Sequence, residues 1–293
     1  FPLLIILIGA IGYFMIKRAL RQVDLICDEV ENISNGKDLS KRLSLPKAKD
    51  ELYELSEKFN EMFERLEFSF KKERQFTSDV SHELRTPVAV IISQCEYLLE
   101  NENLSAEDKE EIAVILKQAK RMSKLTNEML MIARNEQGEQ HLMEKLDFGL
   151  LSELVIEELQ TKAQEKNIEI TLQKQDDLFM NGDQTLILRM MMNLITNAIN
   201  YGKTNGHIHV ILKVENDQIV GEVKDDGIGI SEEHLDRIWE RFYRIDKSRS
   251  RENGGTGLGL SMVRWIVNLH NGTIHVESIE GIGTSFIFRF PKI

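Results

Sequence analysis

Only two cysteines, Cys27 and Cys95, occur in 293 residues, too few for a disulfide framework or a cysteine-bound metal. Both fall in stretches of helical periodicity and read as small apolar filler. Basic residues are short as well: 37 Lys and Arg against 48 Asp and Glu leave a net charge of −11. That balance excludes nucleic acid as a partner, because phosphate contacts need a basic face. No segment repeats at a solenoid period. One apolar run, Phe1 to Ile16, falls slightly short of the roughly 20 residues that span a bilayer. No basic region precedes it and no small-residue cleavage site follows it, which argues against a secretory signal peptide. Lys17, Arg18 and Arg21 come after the run, so the positive-inside tendency places the remaining chain in the cytoplasm. The sequence does not open on Met, and the run is expected to be the end of a membrane helix whose upstream part is missing here.

What is present suggests several domains. Ala19, Val23, Ile26, Val30 and Ile33 form one heptad seam, and Leu52, Leu55, Phe59, Met62 and Leu66 form a second. Asn35-Gly36 closes the first helix and Asp50 can cap the second. Two short seams predict a small parallel bundle made by two chains, and a plain coiled coil is the simpler rival. Past Leu66 the seam meets Ser69 and Glu73, where packing weakens. A helix is expected from about Phe76 to Leu99, with Phe76, Val80, Leu84, Val88, Ile91, Cys95 and Leu98 on one stripe. A turn at Asn101-Glu102-Asn103 leads to a second helix capped by Ser105 and Asp108. This helix is expected to bury Ile112, Ile115, Ala119, Met122, Leu125, Met129 and Ile132. An antiparallel pair with one stripe each cannot bury itself alone, so a dimeric four-helix bundle is expected. From about residue 142 the pattern turns to α+β, with helices at 150–166, 184–201 and 258–270. Strands are expected at 168–173, 207–214, 218–225, 273–279 and 284–290. Residues 231–256 lack a clean period and read as a mobile loop.

The chemistry begins at Ser81-His82-Glu83-Leu84-Arg85-Thr86-Pro87. His82 points about 200° from Leu84 on the apolar stripe, hence toward solvent. Glu83 can hold a proton on one ring nitrogen and leave the other nucleophilic. Arg85 can neutralise phosphate charge, Thr86 lies one turn on along the same face, and Pro87 removes a donor to the Glu83 carbonyl. Farther on, Asn193 and Asn197 lie four apart on one helix. Asp225 shares a strand face with Ile219, Gly221 and Val223, and a carboxylate there needs a donor or a shifted pKa. Gly227 and Gly229 permit a close turn. Gly255-Thr256-Gly257-Leu258-Gly259-Leu260 precedes the last amphipathic helix, where backbone N–H groups and the helix N-terminus suit phosphate. Phe242, with Arg241 and Arg244, anchors or releases the loop before it. Arg249 and Arg251 read as solvated charge. Gly281 and Gly283 read as a hairpin turn, with Thr284 starting the last strand. His207 and His209 alternate on one strand face, but without a third ligand the strand-surface reading is preferred over a metal. His141, His234, His270 and His275 are assigned no chemistry.

These boxes, in this order and at these separations, resemble a transmembrane sensor histidine kinase of two-component signalling over nearly the whole chain. The segment with Leu43, Leu45-Pro46, Asp50-Glu51-Leu52 and Phe59-Asn60-Glu61-Met62 resembles a HAMP signal-relay domain. The resemblance implies all-α HAMP and dimerisation bundles followed by an α/β two-layer sandwich that binds ATP. The expected limits are 1–17 for the membrane helix, 18–70 for HAMP, 71–138 for dimerisation and phosphotransfer, and 139–293 for the catalytic domain. It further implies that His82 takes the γ-phosphoryl group of ATP and passes it to an Asp of a response-regulator receiver domain. Thr86 then helps to position the water that dephosphorylates the regulator. Asp225 accepts from the adenine amine, and Asn197, with Asn193 beside it, serves Mg²⁺ on the phosphates. Gyrase-type relatives carry Glu where Asn193 stands, so attack by water is not promoted here. Asn200 replaces a frequent Lys, and Tyr201 or Lys203 compensates. Thr284, Gly227, Gly229, Phe242, Gly255, Gly257 and Gly259 complete the nucleotide set. Two rival readings are an inactive or phosphatase-biased relay, and a gyrase-like clamp ATPase. The intact Asp225, asparagines and glycines oppose the first; Asn193 and the histidine helix oppose the second.

Overall fold

The structure is a computed structural model that describes residues 6, 9–14, 17, 42–43, 51–101, 104–135, 141–245 and 256–293. The first heptad seam, Cys27, Asn35-Gly36, Asp50, Gly255, Arg249, Arg251 and most of the apolar run lie outside them. Among the described residues no helix is long and apolar enough to cross a membrane. The chain divides into two compact units, Phe1–Val80 and Ser81–Ile293.

In the first unit, Asn60 holds Leu43. Its Oδ1 accepts from the Leu43 N–H at 2.9 Å and its Nδ2 donates to the Leu43 carbonyl at 3.1 Å. That two-point clamp satisfies the backbone N–H and carbonyl of Leu43, whose side chain is buried. Arg42 pairs with Glu67 at 2.6 Å. Phe63 is buried beside Phe59, whereas Leu55, Met62 and Leu66 of the seam stay exposed in the single chain.

Helix α1 (Glu51–Leu99) is one continuous helix of 49 residues, with Pro87 inside it. The sequence pattern predicts a fresh helix start near Phe76, which the structure does not show. The polar residues Ser69 and Glu73 weaken a packing seam, but no Gly or Pro precedes Pro87 in this helix to break the backbone ladder. Helix α2 (Ala106–Asn135) begins with the expected cap: the Asp108 N–H donates to Ser105 Oγ at 3.1 Å, and Ser105 Oγ donates to Asp108 Oδ2 at 2.6 Å. Val88, Cys95, Ala119 and Leu130 are buried, but Leu84, Ile91, Leu98, Ile115 and Met122 are not. The hairpin therefore covers only part of each stripe.

The α/β region opens with β1 (Glu144–Asp147), paired antiparallel to β3 (Phe179–Gly182). Neither strand was anticipated; four residues are too few to display a period. Between them lie α3 (Phe148–Gln164) and β2 (Glu169–Lys174). Then follow α4 (Gln184–Tyr201), β4 (His207–Glu215), β5 (Gln218–Asp225), α5 (Gly259–Leu269), β6 (Thr273–Ile279) and β7 (Gly283–Pro291). The five-stranded sheet has the order β2-β4-β5-β7-β6, parallel only at β2-β4. Alternating residues such as Ile208, Val210, Leu212, Phe286, Phe288 and Phe290 join buried side chains of α3, α4 and α5 in one core. Within 231–245, described as a loop by its sequence, two short 3₁₀ turns form at Glu232–His234 and Arg237–Trp239.

Helix α4 carries Asn193, Asn197 and Tyr201 of the candidate site, and both its ends are tied down. At the start, Asp183 caps the Leu186 N–H at 3.1 Å. The Asp183 N–H donates to Nε2 of the buried His270 at 3.0 Å, and His270 Nδ1 lies 2.7 Å from the Ile266 carbonyl. With one nitrogen accepting and the other donating, the ring is held neutral. At the other end, the Lys166 ammonium donates to the Ile199 and Asn200 carbonyls at 2.9 and 2.8 Å.

Burial lowers the His270 pKa below its usual 6.5. The folded state thus binds fewer protons at this ring than the unfolded chain. Its stabilising contribution is complete above the unfolded pKa and declines as pH falls below about 6.5. His270→Gln is therefore expected to flatten the acid limb of a pH series of denaturant melts, and to lower stability at pH 8 by about 1–3 kcal/mol. An unchanged acid limb would remove His270 from this account.

Candidate functional site

Asn193, Asn197 and Tyr201 recur every four residues along α4 and so share a face. The Asn193 amide nitrogen donates to the Arg189 carbonyl at 2.9 Å, which commits it to its own helix. Its Oδ1 is turned to the start of α5: a Cβ added to Gly259 would lie 2.9 Å from it. Asn197 is half-buried, and Tyr201 is exposed with its carbonyl accepting from the Ile228 N–H at 3.2 Å.

Asp225 ends β5 and is 7% exposed. Its Oδ1 accepts from the Gly227 N–H at 2.9 Å. Burial raises its carboxyl from the ordinary 3.8 to about 6, and hydrogen bonds from the Gly227 and Thr284 backbones only partly oppose this. Thr284 stands opposite Asp225 in the β5-β7 ladder, with its hydroxyl 2.9 Å from Ser278 Oγ. Ser278 Oγ also donates to the Gly283 carbonyl and accepts from the Ile230 N–H, both at 2.8 Å. Ser278 thus ties the turn after Asp225 to the β6-β7 hairpin. Its place on β6 carries no sequence signal, and the sequence reading passed over it.

The turn is close-packed. Gly229 has φ +68°, and a Cβ there would sit 2.1 Å from the Ile279 carbonyl oxygen. Gly227 abuts the Tyr201 carbonyl. Lys203, a candidate phosphate contact, instead donates to the Gly281 carbonyl at 3.0 Å.

Just before α5, Gly257 has φ +77°, and its backbone meets that of Phe242. The Phe242 N–H donates to the Gly257 carbonyl at 2.9 Å, with Phe242 itself at φ 63° and its ring exposed. That bond joins two residues that are 15 positions apart in the chain. Behind it, Tyr243 OH lies 2.7 Å from His234 Nδ1, and the Arg237 guanidinium stacks 4.3 Å over the Tyr243 ring. Gly257 and Gly259 thus flank the N-terminus of α5, facing Asn193; Gly255 is outside the described residues.

His82, Glu83 and Thr86 are all solvent-exposed on α1, beside the buried Ser81. The Arg85 guanidinium donates to Asn127 Oδ1 on α2 at 3.1 Å. Among the described residues no group of His, Cys, Asp and Glu is arranged to hold a metal by itself.

Three family models match in succession. The HAMP domain covers residues 14–68 and the His Kinase A (phospho-acceptor) domain 72–138. The Histidine kinase-, DNA gyrase B-, and HSP90-like ATPase covers 182–293. The sensor histidine kinase YclK of Bacillus subtilis is 37% identical over 254 residues, 83% of this chain and 53% of that protein. YkoH of the same organism, also a sensor histidine kinase, is 33% identical over 283 residues, 96% of this chain and 61% of that protein. The chain thus spans little more than half the length of these relatives. The crystal structure of full-length ShkA in complex with AMPPNP is similar at a TM-score of 0.63 and 25% identity, covering 74% of this chain and 45% of that one. With helical HAMP and phosphoacceptor regions leading into the α/β ATPase layer, the chain belongs to the sensor histidine kinases of two-component systems.

Proposed function

We propose that this chain binds ATP at the Asp225 turn, moves the γ-phosphoryl group to His82, and hands it to an Asp of a response-regulator receiver domain. The observation that carries the nucleotide half is Asp225, a buried carboxylate left uncomfortable by burial despite two backbone donors. The exocyclic amine of adenine supplies a further donor at that oxygen pair. Gly227 and Gly229 keep the floor flat beneath the base, and Thr284 closes it. The N-terminus of α5, with Gly255, Gly257 and Gly259, receives the phosphates. Asn197, with the oriented oxygen of Asn193, serves Mg²⁺, which lowers the phosphates' charge when bound. Tyr201 borders the same edge, and Phe242 anchors the covering loop.

At the other end, an imidazole nitrogen of His82 forms its bond to the γ-phosphorus as the bond to the β–γ bridging oxygen breaks, releasing ADP. Glu83 holds the proton on the second ring nitrogen through this step. Thr86, one turn on, orients water for dephosphorylation of the partner. The apolar residues left exposed on α1 and α2 support a homodimer, in which two hairpins complete a four-helix core. The limits proposed are 18–70, 71–138 and 139–293, with the run before Lys17 anchoring the chain in a cytoplasmic membrane and the rest on the cytoplasmic side.

Asp225→Asn tests the base assignment. Asparagine keeps an oxygen for the Gly227 N–H but relieves a buried charge. The folded pKa of Asp225 is raised, so its stabilising contribution is present below pH 3.8 and lost as pH rises through about 6. The variant should therefore be no less stable at pH 7.5, yet bind ATP about 1–3 kcal/mol more weakly. Wild-type affinity should also fall relative to the variant's as pH drops through 6, because the protonated acid is a weaker acceptor for the amine than the carboxylate. Titration calorimetry giving equal affinities for both chains would move the base elsewhere.

A further inference from the structure

Glu128, on α2, is a carboxylate that the proposed reaction does not use, and it is 4% exposed. Its Oε2 accepts a hydrogen bond from Thr256 Oγ1 at 2.5 Å, joining residues 128 positions apart. Thr256 belongs to the glycine segment, immediately before Gly257. Its hydroxyl oxygen in turn accepts from the Leu258 N–H at 3.3 Å, one of the donors opening α5. Lys124, one turn back on α2, brings its ammonium to 3.9 Å from the other Glu128 oxygen. A second contact lies one turn ahead on α2: the Arg189 guanidinium, on α4 one turn before Asn193, donates to Met131 Sδ at 2.8 Å. Two successive turns of the phosphoacceptor hairpin thus touch both walls of the nucleotide site.

We propose that Glu128 is an autoinhibitory latch: its carboxylate, held by Thr256, stands in for a phosphate at the start of α5 and keeps the catalytic domain parked against its own hairpin. This rests on the nucleotide reading given above. The charges decide the sign. The N–H groups and dipole at a helix start favour an anion, and here a resident anion is already wired to them through one hydroxyl. An incoming triphosphate meets like charge and must break a charge-assisted hydrogen bond to enter. The apparent affinity for nucleotide is then reduced by the fraction of chains whose latch is closed. A signal that shifts α2 by a fraction of a turn would open the latch without touching the nucleotide site.

The test compares ATP affinity and the initial rate of self-phosphorylation in the full chain and three variants. Glu128→Ala removes the latch, Glu128→Gln keeps its shape without the charge, and Glu111→Gln makes the same charge change at an exposed position of α2. Glu128→Ala is expected to bind ATP roughly tenfold tighter and to label faster, with Glu128→Gln between it and the parent. Glu111→Gln should match the parent. Amide exchange at residues 256–262 without nucleotide should quicken in Glu128→Ala. Unchanged or weaker affinity in both Glu128 variants, with the parent binding ATP normally, overturns the latch and leaves the nucleotide reading standing. Failure of the parent itself to bind ATP overturns both.

Discussion

His82→Gln is expected to abolish labelling of the chain by γ-labelled ATP and to leave ATP affinity and thermal stability unchanged. The reasons are local. His82 is exposed on α1 and belongs to no buried cluster, so glutamine, a good helix former, fits without repacking. Glutamine offers an amide where phosphoryl transfer needs a nucleophilic ring nitrogen, and no neighbour replaces it. Ser81, the adjacent hydroxyl, is buried at 1% exposure and so is not open to a γ-phosphate. Label persisting at more than a trace in this variant would assign the acceptor to another side chain. A fall in ATP affinity to match the lost label would instead mean that the substitution reached the nucleotide site.

The second large effect separates two activities on one helix. Glu83→Ala is expected to cut autophosphorylation by about 10²–10⁴-fold, the scale of a lost proton-holding group. Thr86→Ala is expected to leave autophosphorylation within a few-fold and to slow dephosphorylation of the phosphorylated regulator. Both residues are exposed, so neither substitution opens a cavity. Single-turnover labelling and a regulator-dephosphorylation time course read the two rates on the same preparations. If Thr86→Ala depresses both rates together and lowers the melting temperature, Thr86 serves the helix before Pro87 rather than a water.

Much of this was legible in the chain because the site is built from local devices. Asp225 alternates with Ile219, Gly221 and Val223 on one face of β5, so its burial followed from a period of two. The Ser105-Asp108 cap and the α4 limits 184–201 followed in the same way from cap residues and helical spacing. The features that escaped depend on partners remote in sequence. Ser278 acts on Ile230 and Thr284 because β6 closes on β7, and no spacing along the chain announces that hairpin's cross-bonds. Lys203 looked available for phosphate, but its nearest acceptor is the carbonyl of Gly281, 78 residues on. Glu128 carries no sequence signal that would mark it, and only the fold shows it buried against Thr256. Strands β1 and β3 are too short for periodicity and exist because they pair with each other. The long uninterrupted α1 shows the converse: polar residues at a seam weaken packing without ending a helix.

The central claim is that the γ-phosphoryl group of ATP ends on the imidazole of His82. It is tested most directly by incubating the chain with Mg²⁺ and γ-labelled ATP, dividing the quenched protein between acid and alkali, and mapping the labelled peptide. The account predicts a label lost in acid, retained in alkali and confined to the peptide carrying His82. An acid-stable label, a label on any other peptide, or steady release of inorganic phosphate with no labelled protein would contradict it.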